Sequence, residues 1–142
     1  MLSEKGFSLI EVLISLSILS VSVIAISYFF TQANEVSAGN NNKLVATNLA
    51  RMTLARVQHD YTSFGITKAE KTYTKLNCST TGCASLYTAT INNNNYDIEI
   101  KVLPQSTEEA EIKLFPVTIK VNYKTKQGVK GTIVEGYVTD AK

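Results

Sequence analysis

Lys5-Gly6-Phe7-Ser8-Leu9-Ile10-Glu11-Val12-Leu13-Ile14-Ser15-Leu16 opens an apolar run that continues through Phe30. Glu11 is the one charged side chain between Phe7 and Phe30, and no Pro or Gly interrupts the run. At about 1.5 Å per residue it makes a helix of roughly 36 Å, against about 30 Å of bilayer hydrocarbon. A secretory signal has a shorter apolar core, with small residues at a cleavage site after it. Here the run is longer, and the Lys5-Gly6 pair comes before it. A plain membrane anchor leaves Glu11 unexplained, since an acid deep in hydrocarbon costs about 2.5–3.5 kcal/mol on insertion scales.

The motif Gly6-Phe7-Ser8-Leu9-Ile10-Glu11-Val12-Leu13-Ile14-Ser15-Leu16, behind a short leader carrying Glu4 and Lys5, resembles the class III signal of type IV pilins and pseudopilins. The resemblance implies cleavage between Gly6 and Phe7 on the cytoplasmic side, and methylation of the new N-terminal Phe7. It makes Glu11 the acid at the fifth mature position, which serves assembly in that family. The partners it implies are other pilins or pseudopilins met through N-terminal helices, a prepilin peptidase and an inner-membrane assembly platform. Major pilins commonly carry a Pro about sixteen residues past the acid, and often a Gly before it; Tyr28 and Ser20 stand at the matching places here. That departure favours a minor pilin or pseudopilin. The run Ala46-Thr47-Asn48-Leu49-Ala50-Arg51-Met52 resembles the corresponding helix of V-class minor pilins and I-class pseudopilins.

The chain has 142 residues, a net charge of +2, no Trp and two Pro. Without a leader and a membrane helix, about 110 residues remain, the size of one domain. The charge is too small to identify a nucleic-acid or membrane-surface partner by bulk electrostatics. One Lys in the leader places it inside the cell by the positive-inside rule, with the C-terminal domain outside. The expected divisions are a leader at 1–6, a transmembrane and assembly helix at 7–30, an extramembrane amphipathic helix at 31–61 and a globular sheet region at 62–142. Serines at 8, 15, 17, 20, 22 and 27 punctuate the apolar run. They suit close helix packing or a span that merely tolerates them, because they form no single stripe.

Residues 31–43 are polar, with Gly39 and Asn40-Asn41-Asn42, and read as a weak spot in a helix or a break between two. Helical periodicity returns at Leu44, Val45, Leu49, Met52 and Ala55 or Arg56, with Ala50, Leu54, Val57 and Tyr61 alongside. Residues 62–85 show little periodicity and read as a loop region. Leu86 to Ile91 is rich in β-formers, and Asn92-Asn93-Asn94-Asn95 is a turn cluster. Tyr96, Ile98, Ile100 and Val102 alternate with Asp97, Glu99 and Lys101, as in a half-buried strand. Residues 104–111, acidic at Glu108, Glu109 and Glu111, read as an exposed loop. Val117, Ile119, Val121 and Tyr123 alternate with polar residues, Lys126-Gln127-Gly128 turns the chain, and 129–138 returns as the hairpin partner; Pro116 marks a strand start or an edge. The expected fold is α+β: a long N-terminal membrane-spanning helix packed on an antiparallel sheet of about four strands, the type IV pilin-like layout.

Cys78 and Cys83 could form a disulfide, stay free, or supply half a metal site. With His59 the chain's single His and no second Cys pair, a zinc site lacks ligands. Outside the membrane a disulfide is favoured, and closing so short a loop is worth about 2 kcal/mol. No catalytic motif or cofactor-binding pattern is visible, and His59 reads as a solvent-facing or capping residue. Lys120, Lys124, Lys126 and Lys130 crowd the second hairpin beside Tyr123. They suit either DNA capture, through phosphate contacts and an aromatic, or protection of an exposed strand edge. Three function classes follow: a structural filament subunit, a filament subunit with a binding task such as DNA capture or adhesion, and an anchored binding domain that never polymerises.

Overall fold

The computed structural model describes residues 6–67, 70–78 and 82–139. Helix α1 spans Leu9–His59 and runs through Gly39 and the three asparagines without a break. A helical Gly costs only about 1 kcal/mol relative to Ala, too little to stop a cooperative helix with long flanks on both sides. Asn42 also gains partners, accepting hydrogen bonds from Asn94 Nδ2 (3.1 Å) and the Tyr96 hydroxyl (3.4 Å). The chain nevertheless divides into two compact units, Met1–Gly39 and Asn40–Lys142.

In the first unit every described residue before Gly39 is exposed. This part of α1 is long and apolar enough to cross a membrane. Its hydroxyls are satisfied within the helix: Ser15, Ser17, Ser20, Ser22, Ser27 and Thr31 each donate to the carbonyl four residues back, at 2.8–3.0 Å. Such back-bonding gives these six hydroxyls a partner within the helix, which suits an apolar medium.

In the second unit the sheet contains β1 (Thr72–Tyr73), β2 (Thr88–Ile91), β3 (Asn94–Val102), β4 (Leu114–Thr125) and β5 (Gly128–Thr139), all pairs antiparallel. The order is β1-β3-β4-β5, and β2 also pairs β3. β2 covers the Asn94–Asp97 end of β3 and β1 covers Ile100 and Lys101. The described sheet therefore has five strands where four were expected: β1 is only two residues long, too short to show an alternation. The β2–β3 turn uses Asn92 and Asn93 at φ 50° and 64°, the left-handed pair that closes a two-residue hairpin. Pro116 lies within β4, and its carbonyl accepts from Leu103 N at 3.0 Å. Pro116 is the third residue of β4, which lies between β3 and β5, so it marks neither a strand start nor an edge; its missing N–H forgoes the reciprocal bond to Leu103 just beyond β3.

One face of the sheet makes the core. Tyr96, Ile98, Ile100 and Val102 stand opposite Tyr123, Val121, Ile119 and Val117, and Phe115 stands opposite Val138. All ten of these are buried, as are Ala46, Ala50, Thr53 and Val57 of α1. The helix seats its small residues on the core and leaves Leu44 and Met52 exposed. Apolar size in the sequence suggested the reverse emphasis, yet alanines allow the closer approach. Leu54 lies over Gly136, where a Cβ would come within 2.6 Å of its side chain.

The described residues between 62 and 87 are held by tyrosines rather than by a period. The Tyr87 hydroxyl donates to Phe64 O (2.7 Å), and the Tyr73 hydroxyl donates to Thr67 O (2.7 Å). Burial pushes the Tyr87 phenol far above its ordinary range, with neighbouring Tyr73 adding to the shift. A 3₁₀ turn over Cys83–Tyr87 takes the place of the expected first strand residues, so β2 begins at Thr88. Within the expected loop at 104–111 stands a short helix, α2 (Thr107–Glu111). Ser106 caps it: its hydroxyl accepts from Glu109 N (3.2 Å), while Glu109 accepts from Ser106 N (2.8 Å). These contacts hold the Glu109 carboxyl below its ordinary value, chiefly through the Ser106 backbone N–H. Glu109 is thus a capping residue, not merely a solvated acid.

Candidate processing and assembly site

Gly6, Phe7 and Ser8 lie outside the helix, which begins at Leu9. Phe7 is 84% exposed. Ser8 occupies the N-cap: its carbonyl accepts from Glu11 N (3.1 Å) and Val12 N (3.3 Å), and its hydroxyl also accepts from Glu11 N (3.3 Å). Ser8 and Glu11 form the Ser-x-x-Glu spacing of a capping box, a pattern readable in the sequence that burial cost alone does not reveal. Glu11 therefore sits in the first turn of α1, where the positive end of the helix dipole favours a carboxylate. Its side chain is exposed and takes part in neither the Lys75–Asp97 (3.2 Å) nor the Lys120–Glu99 (3.9 Å) ion pair. The leader expected at 1–6 lies outside the described residues except for Gly6. A Cβ on Gly6 would meet nothing within 4 Å, so no packing inside the chain requires glycine there.

Residues 1–27 match the family model of the prokaryotic N-terminal methylation motif. No curated protein and no solved structure matches the chain. The methylation motif covers both Gly6 and Phe7, the Ser8 cap and Glu11. Together with the apolar helix it supports a subunit like those of type IV pili and pseudopili, anchored in a membrane before assembly.

Other sequence candidates lie in the second unit. The Sγ atoms of Cys78 and Cys83 stand 2.19 Å apart with Cα atoms at 5.6 Å; residues 79–81 between them lie outside the described residues. Cys83 is buried, and its Sγ would be 3.7 Å from a Cβ on Gly65, whose positive φ closes the preceding turn.

The lysine-rich hairpin does not gather as one surface. Tyr123 is 4% exposed on the core face, with its ring 6.0 Å from that of Tyr96, so it offers no platform for a base. Lys130 stands opposite Tyr123 and donates to Gln127 Oε1 (2.9 Å), whereas Lys120 and Lys124 alternate onto the other face. Lys126 occupies the turn, and Lys120 faces Glu99. The aromatic half of the DNA-capture reading is therefore corrected by burial. His59 is exposed in the last turn of α1. Beside it, Asp60 takes hydrogen bonds from the Ser63 and Thr62 hydroxyls, which hold its carboxyl well below the usual range.

Proposed function

We propose that this chain is a minor subunit of a type IV pilus or related pseudopilus. A prepilin peptidase cuts it between Gly6 and Phe7, Phe7 is N-methylated, and the chain joins like helices through its N-terminal segment. The observation that carries this reading is the methylation motif at 1–27, which lies on the stretch of α1 whose apolar side chains are exposed. Such a surface is stable in lipid or among like helices, and costly in water. Tyr28 and Ser20, at places where major pilins commonly have Pro and Gly, and the unbroken course of α1 support a minor role.

In this reading Glu11 pairs with the Phe7 amine of a neighbouring subunit. That amine exists only after cleavage, which couples assembly to processing. Desolvation offsets much of the Coulomb energy of a buried pair, so its main effect is axial register between helices. The leader lies in the cytoplasm and the sheet unit outside, where a Cys78–Cys83 disulfide is stable. Glu11→Ala is expected to insert and be cut after Gly6, yet enter filaments at least tenfold less than wild type, as measured by immunoblot of sheared filaments. Wild-type incorporation at equal expression would contradict the role of the carboxylate.

A further inference from the structure

We propose that Ser8 is a positioning residue for processing: by capping α1 it holds the Gly6–Phe7 bond in unwound chain. The inference rests on the cleavage reading above. An apolar helix propagates readily in either direction, because each added residue gains a backbone hydrogen bond, and lipid strengthens that drive. Phe7 has no feature that would resist it. What stops α1 is Ser8, whose hydroxyl and carbonyl both take the Glu11 N–H, with the carbonyl also taking Val12 N. An N-cap residue adopts non-helical backbone angles, and Ser favours that position strongly over Ala. The three residues Gly6, Phe7 and Ser8 accordingly carry no helix, and Phe7 is largely exposed.

Cleavage needs this opening. Water adds across the Gly6–Phe7 amide, its hydroxyl going to the Gly6 carbonyl carbon and a proton to the Phe7 nitrogen. The leader leaves as a Gly6 carboxylate, and Phe7 gains an amine. A helical Gly6 carbonyl would be engaged by the N–H four residues on and turned away from an approaching active site. Ser8 therefore acts on the backbone before the scissile bond is attacked, without touching the reacting atoms.

The test uses the full-length chain with an active prepilin peptidase. Appearance of the Phe7 terminus is followed by mass for wild type, Ser8→Ala, Ser8→Thr and Ser8→Asn. Loss of the cap slows Ser8→Ala about fivefold, whereas Thr and Asn, both good caps, stay near the wild-type rate. In the uncut chain in micelles, the Cα chemical shift of Phe7 moves from extended toward helical in Ser8→Ala and stays extended in the other two. Equal cutting of wild type and Ser8→Ala overturns the proposal, as does a Phe7 shift that does not move. Slow cutting of Ser8→Asn as well as Ser8→Ala also overturns it, because the hydroxyl would then be read by the peptidase itself. A wild-type chain left uncut refutes the cleavage reading on which the proposal stands, and is distinguishable from each of these.

Discussion

Ile18 and Ile24 in the first unit are 63% and 70% exposed, while Ile100 and Ile119 in the sheet are at 0%. The same residue type is spent in opposite ways within one chain. In the sheet unit, cross-strand neighbours and the Ala46, Ala50 and Val57 side chains supply the cover, so its hydrophobic stabilisation is internal. In residues 9–38 six hydroxyls are back-bonded to the helix carbonyls, and the apolar side chains are exposed. The first unit bonds its serines within the helix and leaves its apolar side chains exposed. That combination suits a segment whose cover is lipid first and other helices later.

The largest expected contrast comes from removing the same atoms on each side. Ile119→Ala should destabilise the sheet unit by about 2–5 kcal/mol in denaturant unfolding of the full chain in micelles. Ile18→Ala should change that unfolding by no more than about 0.5 kcal/mol. Equal losses would break the comparison, since Ile18 would then contribute to the sheet unit's core.

A smaller effect sharpens the contrast, because it concerns covalent support confined to the second unit. Replacing both Cys78 and Cys83 by Ser should lower the stability of the sheet unit by about 2 kcal/mol and leave membrane insertion unchanged. The wild-type chain should gain the mass of two hydrogens on reduction. Thiol reagents that label the unreduced chain would contradict a bond there.

The smallest effect is electrostatic and lies where α1 ends. The Ser63 and Thr62 hydroxyls favour the charged form of Asp60, so its folded value lies below its unfolded one. Its contribution is therefore fully present above about pH 4 and is lost as pH falls through the folded value. The stability gap between wild type and Asp60→Asn should exist at neutral pH and close in acid. A gap that stays constant with pH would mean that the charge is not what these hydroxyls hold.

Much of the fold was readable because its signals are periodic. The alternation of Tyr96, Ile98, Ile100 and Val102, and of Val117, Ile119, Val121 and Tyr123, marked the two central strands and the buried face together. The apolar run marked the first unit. What escaped has no period to show: β1 is held by its pairing to Ile100 and Lys101, and the segment around it by the long-range bonds of Tyr73 and Tyr87. The position of the helix start and of α2 was legible in principle, since Ser8-Leu9-Ile10-Glu11 and Ser106-Thr107-Glu108-Glu109 repeat one capping pattern. Weighing Glu11 only as an acid in hydrocarbon, and Glu109 only as a surface charge, hid that pattern both times. The hairpin lysines misled for the converse reason. Residues close in sequence on a strand alternate between faces, so proximity to Tyr123 placed Lys120 and Lys124 away from it.

The central claim is that the first unit is made for cleavage before Phe7 and for assembly afterwards. Intact mass measurement of the full-length chain, produced with and without an active prepilin peptidase, tests this most directly. The account predicts a chain beginning at Phe7 with one added methyl group when the peptidase is present, and an uncut chain when it is absent. A chain that keeps Met1 through Gly6 in the presence of an active peptidase would contradict it.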